Sequence, residues 1–293
     1  MGAQRPVAPL VAIIGQTGSG KSALAMRLAE HFGGEIIAAD SRTVYAGMDI
    51  GTAKPTPAER ARIRHFALDV VTPGQLFNAY DFKQVATEAI ADISARGRLP
   101  FLVGGTGLYI DAVVFNYAFR SAPDPSKRAE LESLSVAELQ RRIVSADLPM
   151  PKNSQNSRHL IRVLESGTIL RQARQLRPNT LLLGLQPPAD QLRSRLLARA
   201  EAMLATGLEA ETKQLITEYG EAEALRTPAY SAVLAYLRGH ILRTAISETI
   251  VANDLKLAKR QRTWFRRNSL IHWLNNRDNF AESVELITTL LNK

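Results

Sequence analysis

The chain contains no cysteine, which excludes disulfides, thiolate zinc sites and cysteine-ligated iron–sulfur clusters. Histidine is nearly as scarce, and the five that occur, His31, His65, His159, His240 and His272, show no ligand spacing. No apolar run approaches the roughly 18 residues of a membrane span. Met1 to Pro9 lead into the first strand without an apolar export region, so the expectation is a soluble, cytoplasmic protein with no membrane partner. Acids are outnumbered, 28 against 37 Lys and Arg, for a net charge of +9 and a pI near 10.0. An enzyme handling a small anion needs only a few local cations, so this excess hints at a polyanion; a basic surface kept for solubility is the plain alternative. There is no internal repeat and no low-complexity segment, and 293 residues allow one or two domains.

What is present is organised around Gly15-Gln16-Thr17-Gly18-Ser19-Gly20-Lys21-Ser22. It fits G-x-x-x-x-G-K-[ST] at every fixed position. The apolar run Leu10 to Ile14 precedes it, and Leu24, Leu28 and Phe32 follow at helical spacing. Strand, loop and helix in that order make a phosphate cradle. Glycines let backbone N–H groups approach phosphoryl oxygens, the helix dipole favours anions, Lys21 supplies a point charge and the Ser22 hydroxyl can ligate Mg²⁺. A nucleoside triphosphate is the default occupant, although any diphosphate ester offers the same oxygens.

Further along, Glu35 to Ala39 reads as a second buried strand ending in Asp40-Ser41-Arg42. Ligands of open parallel sheets bind beyond the carboxyl ends of strands, so Asp40 and the cradle could face one site. Position alone leaves Asp40 as a metal or water partner, a general base or a turn cap. Tyr45 to Pro57 reads as an ordered loop, His65 to Val71 as a strand, and Ala79 to Arg96 as a helix stopped by Gly97. Leu99 to Val103 is another buried strand, followed by Gly104-Gly105-Thr106-Gly107-Leu108-Tyr109, a third loop at the same edge or simply a tight turn. Between Arg120 and Arg177 the texture becomes helix-forming, polar and rich in arginine, including Arg128, Arg141, Arg142, Arg158, Arg162, Arg171 and Arg174. Such a face is either solvated or reads a phosphate backbone. Buried-strand composition returns at Thr180 to Leu185. A last clear helix, Ile250 to Arg267, has Lys256, Lys259, Arg260, Arg262, Arg266 and Arg267 around its polar side.

These stretches together resemble the tRNA dimethylallyltransferases of bacterial type. The resemblance rests on the loop at 15 to 22, A-D-S at 39 to 41, V-Y-A-G-M-D-I-G-T-A-K-P at 44 to 55 and V-G-G-T-G-L-Y at 103 to 109. N-S-R-H-L-I-R-V-L-E at 156 to 165 and A-K-R-Q-R-T-W-F-R at 258 to 266 complete it. It implies an α/β fold, a P-loop NTPase-like parallel sheet flanked by helices, with the core at 1–119 and 178–293 and an inserted all-helical domain at 120–177. It implies that Gly15, Gln16, Thr17, Gly18, Ser19, Gly20, Lys21 and Ser22 hold the diphosphate of dimethylallyl diphosphate with Mg²⁺ at Ser22. The acceptor would be the exocyclic N6 amine of adenosine 37 beside the tRNA anticodon, a base that must be flipped out of its stack to react. Asp40 would be the general base, with Thr106 in the reaction channel and Lys21 on the departing pyrophosphate. The anticodon stem-loop would be met by Asp40, Ser41, Arg42, Thr43 and Thr106, by Arg128, Arg158, His159 and Arg162, and by Lys259, Arg260, Gln261, Arg262, Trp264 and Arg266. A monomer is expected.

Three departures stand out. Related sequences usually have G-Y-R where this chain has Ala229-Tyr230-Ser231, T-R-Q where it has Asp254-Leu255-Lys256, and N-P-R-R where it has Asn156-Ser157-Arg158-His159. The competing expectations are a P-loop kinase or nucleotide hydrolase using Lys21, Ser22 and Asp40, a prenyl transferase acting on free adenine nucleotides, and a tRNA-binding paralogue with reduced activity.

Overall fold

The computed structural model describes residues 7–119, 125–167, 175–274 and 278–292. Its frame is a six-stranded, all-parallel sheet in the order β3-β2-β4-β1-β5-β6. The strands are β1 (Leu10–Gly15), β2 (Glu35–Ala39), β3 (His65–Phe66), β4 (Pro100–Gly104), β5 (Thr180–Leu185) and β6 (His272–Leu274). All of β1 is buried. A strand covered on both faces has no polar side to alternate with, which is why it reads as a continuous apolar run. Its neighbours are β4 on one side, with Ile13 beside Val103, and β5 on the other, with Ile13 beside Leu183. The chain therefore reverses its direction of strand addition at β1, where open α/β sheets form their ligand crevice.

In chain order the helices are α1 (Lys21–His31), α2 (Pro57–Arg62), α3 (Ala79–Ala95), α4 (Gly107–Val114), α5 (Pro125–Glu132) and α6 (Val136–Ser145). They continue with α7 (Ser157–Ser166), α8 (Ala189–Ala205), α9 (Leu208–Tyr219), α10 (Pro228–Leu237), α11 (Ile246–Phe265) and α12 (Asn279–Leu291). Helix α3 begins at Asn78, whose side chain accepts from the Tyr80 and Asp81 amides while Asp81 reaches back to the Asn78 amide, a reciprocal cap that stabilises the start. One core joins Val11, Ile13, Leu28, Phe101, Val103 and Ile287, and so packs α1 and α12 on the sheet. A second joins Val44 and Met48, in the loop after β2, to Leu196 of α8, Leu215 of α9, Tyr230 of α10 and Val251 of α11. No helix among the described residues is long and apolar enough to cross a membrane.

The chain divides into two compact units, Met1–Val114 with Leu176–Lys293, and Phe115–Gln175. The smaller unit contains α5, α6 and α7 around Leu131, Leu139, Ile143, Leu160, Ile161 and Val163. Arg171 and Arg174 lie outside the described residues.

Two expectations change. The strand read over His65 to Val71 shortens to His65–Phe66, with only an isolated bridge from Val71 to Tyr45. Ala67 and Asp69 adopt φ of 60° and 55°, and left-handed residues cannot continue an extended strand. The basic helix is not the last element, since β6 and α12 follow it.

Candidate active site

Three chain segments converge at the carboxyl edge of the sheet, beyond β1, β2 and β4. Their approach is close enough to demand glycine. A Cβ on Gly104 would lie 2.0 Å from the Ala39 carbonyl oxygen, and one on Gly15 would lie 2.7 Å from the Leu185 carbonyl oxygen. With β2 and β4 drawn together, the Thr106 amide donates to the Ala39 carbonyl at 3.2 Å. The Thr106 hydroxyl accepts from the Ser41 amide at 3.0 Å. Asp40 sits in the turn so pinned, one carboxylate oxygen accepting from the Arg42 amide at 2.8 Å. One carboxylate oxygen of Asp40 thus stabilises the turn. The Thr106 hydroxyl, acting as acceptor, still has its own proton to donate.

The cradle itself is built for an anion. Gly18 and Gly20 have φ of 73° and 88°, no side chain caps the start of α1, and no acid lies in its first turn, so its leading N–H groups remain available. Gln16, Thr17 and Ser19 are buried while Ser22 is exposed. The Lys21 ammonium donates to the Gln16 carbonyl at 3.4 Å. Burial lowers its pKa to about 8. The Asp40 charge opposes that shift, Arg199 adds to it, and Asp254 again opposes it. Of the charges that act on the cradle lysine, Asp40 has the largest effect.

The basic helix α11 closes the site from a direction that sequence order does not suggest. Gln261 Oε1 accepts from the Thr17 amide at 2.8 Å, and its Nε2 occupies the space that a Gly105 Cβ would need. Trp264 packs on Gly107 in the same way, and its indole N–H donates to Asp111 Oδ2 at 3.0 Å. Gln261 and Trp264, expected among the tRNA-facing residues, thus direct their polar groups inward.

The other expected contacts divide by exposure. Ser41 and Arg42 are half-buried, and Arg42 Nη1 donates to the Glu223 and Ala224 carbonyls at 3.2 and 3.3 Å. Thr43 is buried, its hydroxyl donating to the Asp40 carbonyl at 3.5 Å. Arg128 is bound within its own unit, donating to Glu132 at 2.7 Å and Glu165 at 3.0 Å. Arg158, His159 and Arg162 are exposed on α7, and Lys259, Arg260, Arg262 and Arg266 are exposed on or just beyond α11. Ser231, where the resemblance leads one to expect arginine, lines a cavity of about 270 Å³ with Glu221, Leu225, Arg226 and Arg238, none of them in the phosphate loop.

Sequence reasoning missed two supports. The Glu211 carboxylate accepts from the Asp49, Ile50 and Gly51 amides at 3.1, 2.8 and 2.9 Å and from the Tyr230 hydroxyl at 2.6 Å. The buried Lys54 ammonium donates to the Tyr45 carbonyl, Asp49 and Asp69 at 2.6, 2.8 and 2.5 Å. Together they set the loop after β2. The only signal for them was the 44 to 55 motif itself, because Glu211 lies far along the chain.

No group of three His, Cys, Asp or Glu side chains among the described residues could hold a metal ion by itself. Ser22 and Asp40 remain as donors, a set that suits Mg²⁺ only when ligand phosphates complete its shell.

A family model described as IPP transferase matches residues 43–268. The tRNA dimethylallyltransferase of Roseiflexus sp. (strain RS-1) is 42% identical over 277 residues, spanning 88% of this chain and 90% of the relative. That of Staphylococcus epidermidis is 34% identical, spanning 97% and 92%. Among solved structures, the full-length tRNA isopentenylpyrophosphate transferase of Bacillus halodurans superposes with a TM-score of 0.75 at 33% identity, covering 98% of this chain and 97% of its own. A eukaryotic dimethylallyltransferase, 24% identical with a TM-score of 0.80 and covering 97% of this chain and 79% of its own, shares the fold. Since the likeness runs through nearly the whole length of chain and bacterial relatives alike, the chain belongs to the IPP transferase family.

Proposed function

We propose that this enzyme moves a dimethylallyl group from dimethylallyl diphosphate to the N6 amine of adenosine 37 beside the anticodon of tRNA, releasing pyrophosphate. The tRNA isopentenyl transfer follows from the family; the nucleotide is what the resemblance implies, and the residue roles we infer from the site.

The acceptor amine is a poor nucleophile because its lone pair is delocalised into the ring. The reaction therefore needs a base at nitrogen and stabilisation of the departing anion. Asp40 takes the N6 proton as the N–C bond forms and the allylic C–O bond breaks. The electron pair of that C–O bond leaves on pyrophosphate, where Lys21 and the amides of the cradle receive the charge. Thr106 holds the Asp40 turn through Ser41 and has a hydroxyl proton to offer the incoming base. Mg²⁺, where bound, would be held by Ser22 and would neutralise phosphate charge. Affinity for tRNA comes from exposed cations on α7 and α11, and choice of tRNA from bases of the single-stranded loop. The observation that carries this reading is the junction of Asp40, Thr106 and Lys21 at one sheet edge.

The test is purified protein with Mg²⁺, dimethylallyl diphosphate and tRNA from a strain lacking the modification, followed by mass spectrometry of the digested nucleosides. An adenosine heavier by one five-carbon unit is expected. In Asp40→Asn it should vanish while tRNA binding stays within a few-fold; undiminished turnover would remove Asp40 from the mechanism. Product formed only when ATP replaces the allylic donor would move the chain to nucleotide chemistry.

A further inference from the structure

Asp254 is 1% exposed. It lies on α11 seven residues before Gln261, with buried Ala258 between them. Positions spaced by three, four and seven share one helix face. Gln261 reaches the Thr17 amide, so the face that carries Asp254 is the one turned to the phosphate loop. Asp254 Oδ2 accepts from Arg199 Nη2 of α8 at 2.6 Å. The charges of both residues act on the Lys21 ammonium, which puts the pair within electrostatic reach of the cradle.

The pair is buried on the Asp254 side and 31% exposed on the Arg199 side, and such a pair is weak evidence of stability because desolvation of the carboxylate offsets much of its attraction. Its presence therefore asks for another reason. Arg199 supplies one. Its Nε is buried and finds no acceptor, an unfavourable arrangement unless something supplies one. Guanidinium donors are arranged as a fork that matches an oxyanion at two points. The side chain is nevertheless 31% exposed, so the nitrogen that Asp254 leaves open can meet an oxygen-rich anion lying in the adjoining cradle. The cradle would also regain a cation, which matters in a chain with serine at position 231.

We propose that Arg199 is a pyrophosphate-binding residue of this site and that Asp254 is the positioning residue that holds its guanidinium beside the cradle. This rests on the reading of the loop as a diphosphate site. A carboxylate at 254 fixes the arginine through Nη2 and leaves Nη1 for ligand.

Calorimetric titration with inorganic pyrophosphate tests the assignment directly, below the melting temperature of every variant. Arg199→Ala should weaken binding by about tenfold, the equivalent of one charge-assisted contact. Arg199→Lys, which keeps charge and most of the packing but not the fork, should weaken it by a smaller factor. Asp254→Asn should weaken it a few-fold in the wild-type background and not at all in Arg199→Ala, because its effect runs through the arginine. The KM for dimethylallyl diphosphate should rise in the same order. Lowered Tm with unchanged pyrophosphate affinity in both Arg199 variants would leave the pair a structural brace and overturn the proposal. A wild-type protein that binds no pyrophosphate would overturn the diphosphate reading together with it.

Discussion

Lys21 makes the cradle sensitive to pH in a range where few lysines titrate. Its pKa is about 8, because the surrounding loop strips water from the ammonium and Asp40 and Asp254 compensate only in part. In the empty protein it is then about nine-tenths protonated at pH 7, half at pH 8 and one-tenth at pH 9. Only the protonated form offers a cation to pyrophosphate, so the association constant should fall about tenfold between pH 7 and 9. Pyrophosphate itself gains negative charge over that interval, which acts the other way. The quantity to measure is therefore the ratio of wild-type affinity to that of Lys21→Arg, whose guanidinium stays charged throughout. Titrations without metal, in buffers of different ionisation enthalpy, should show this ratio falling about tenfold and about half a proton taken up per ligand at pH 8. A companion effect appears in stability. Between the folded value of about 8 and the unfolded 10.5, only the unfolded chain holds the extra proton, so this group makes stability rise with pH across that window. Bound pyrophosphate should flatten the rise. A pH-independent affinity ratio would refute the account, since it would mean the lysine is either fully charged or not in contact with the anion.

Glycines provide a matched pair of tests. Gly104→Ala drives a Cβ into the Ala39 carbonyl, a backbone oxygen with no flexible group to yield, and should destabilise by more than about 3 kcal/mol or prevent folding. Gly97→Ala, at φ 71° with nothing nearby, should cost only about 1 kcal/mol by thermal melting. Glu211→Gln removes the charge that four donors share. It should cost about 2–3 kcal/mol and lower turnover, and Tyr230→Phe about 1 kcal/mol; a silent Glu211→Gln would deny that this carboxylate sets the loop. Neutralising Lys259, Arg260 and Arg262 together should weaken tRNA binding and make it less sensitive to salt, the slope of log affinity against log salt shrinking by about 0.7–0.9 for each phosphate deprived of its cation, while pyrophosphate binding stays unchanged. Ser231→Arg should raise turnover if a missing cation limits pyrophosphate departure; no change would fit the wall of the cavity in which Ser231 lies.

Much of the frame was legible because it is local. Buried parallel strands announce themselves as short apolar runs, and β1, β2, β4 and β5 each did. Where a strand is instead defined by what it pairs with, the pattern said less: it made β3 too long and did not mark the three-residue β6. At β3 the left-handed Ala67 and Asp69 are imposed by a turn that brings Asp69 to Lys54, which no local pattern encodes.

The phosphate loop, the acid after β2 and the glycine-threonine turn after β4 could be read from residue types and spacing, and the family from their order. Their meeting at one edge followed from the rule that parallel strands point their carboxyl ends the same way. Tertiary structure alone decided which polar groups face inward. Arginine on a helix looks the same in sequence whether it is solvated or paired, yet Arg128 is held by Glu132 and Glu165 and Arg199 by Asp254. Gln261, inside a basic run, closes on the Thr17 amide. The reason is physical: a chain's own pattern states which residues prefer burial, whereas the partner that satisfies a buried charge or amide is chosen by packing between segments far apart in sequence.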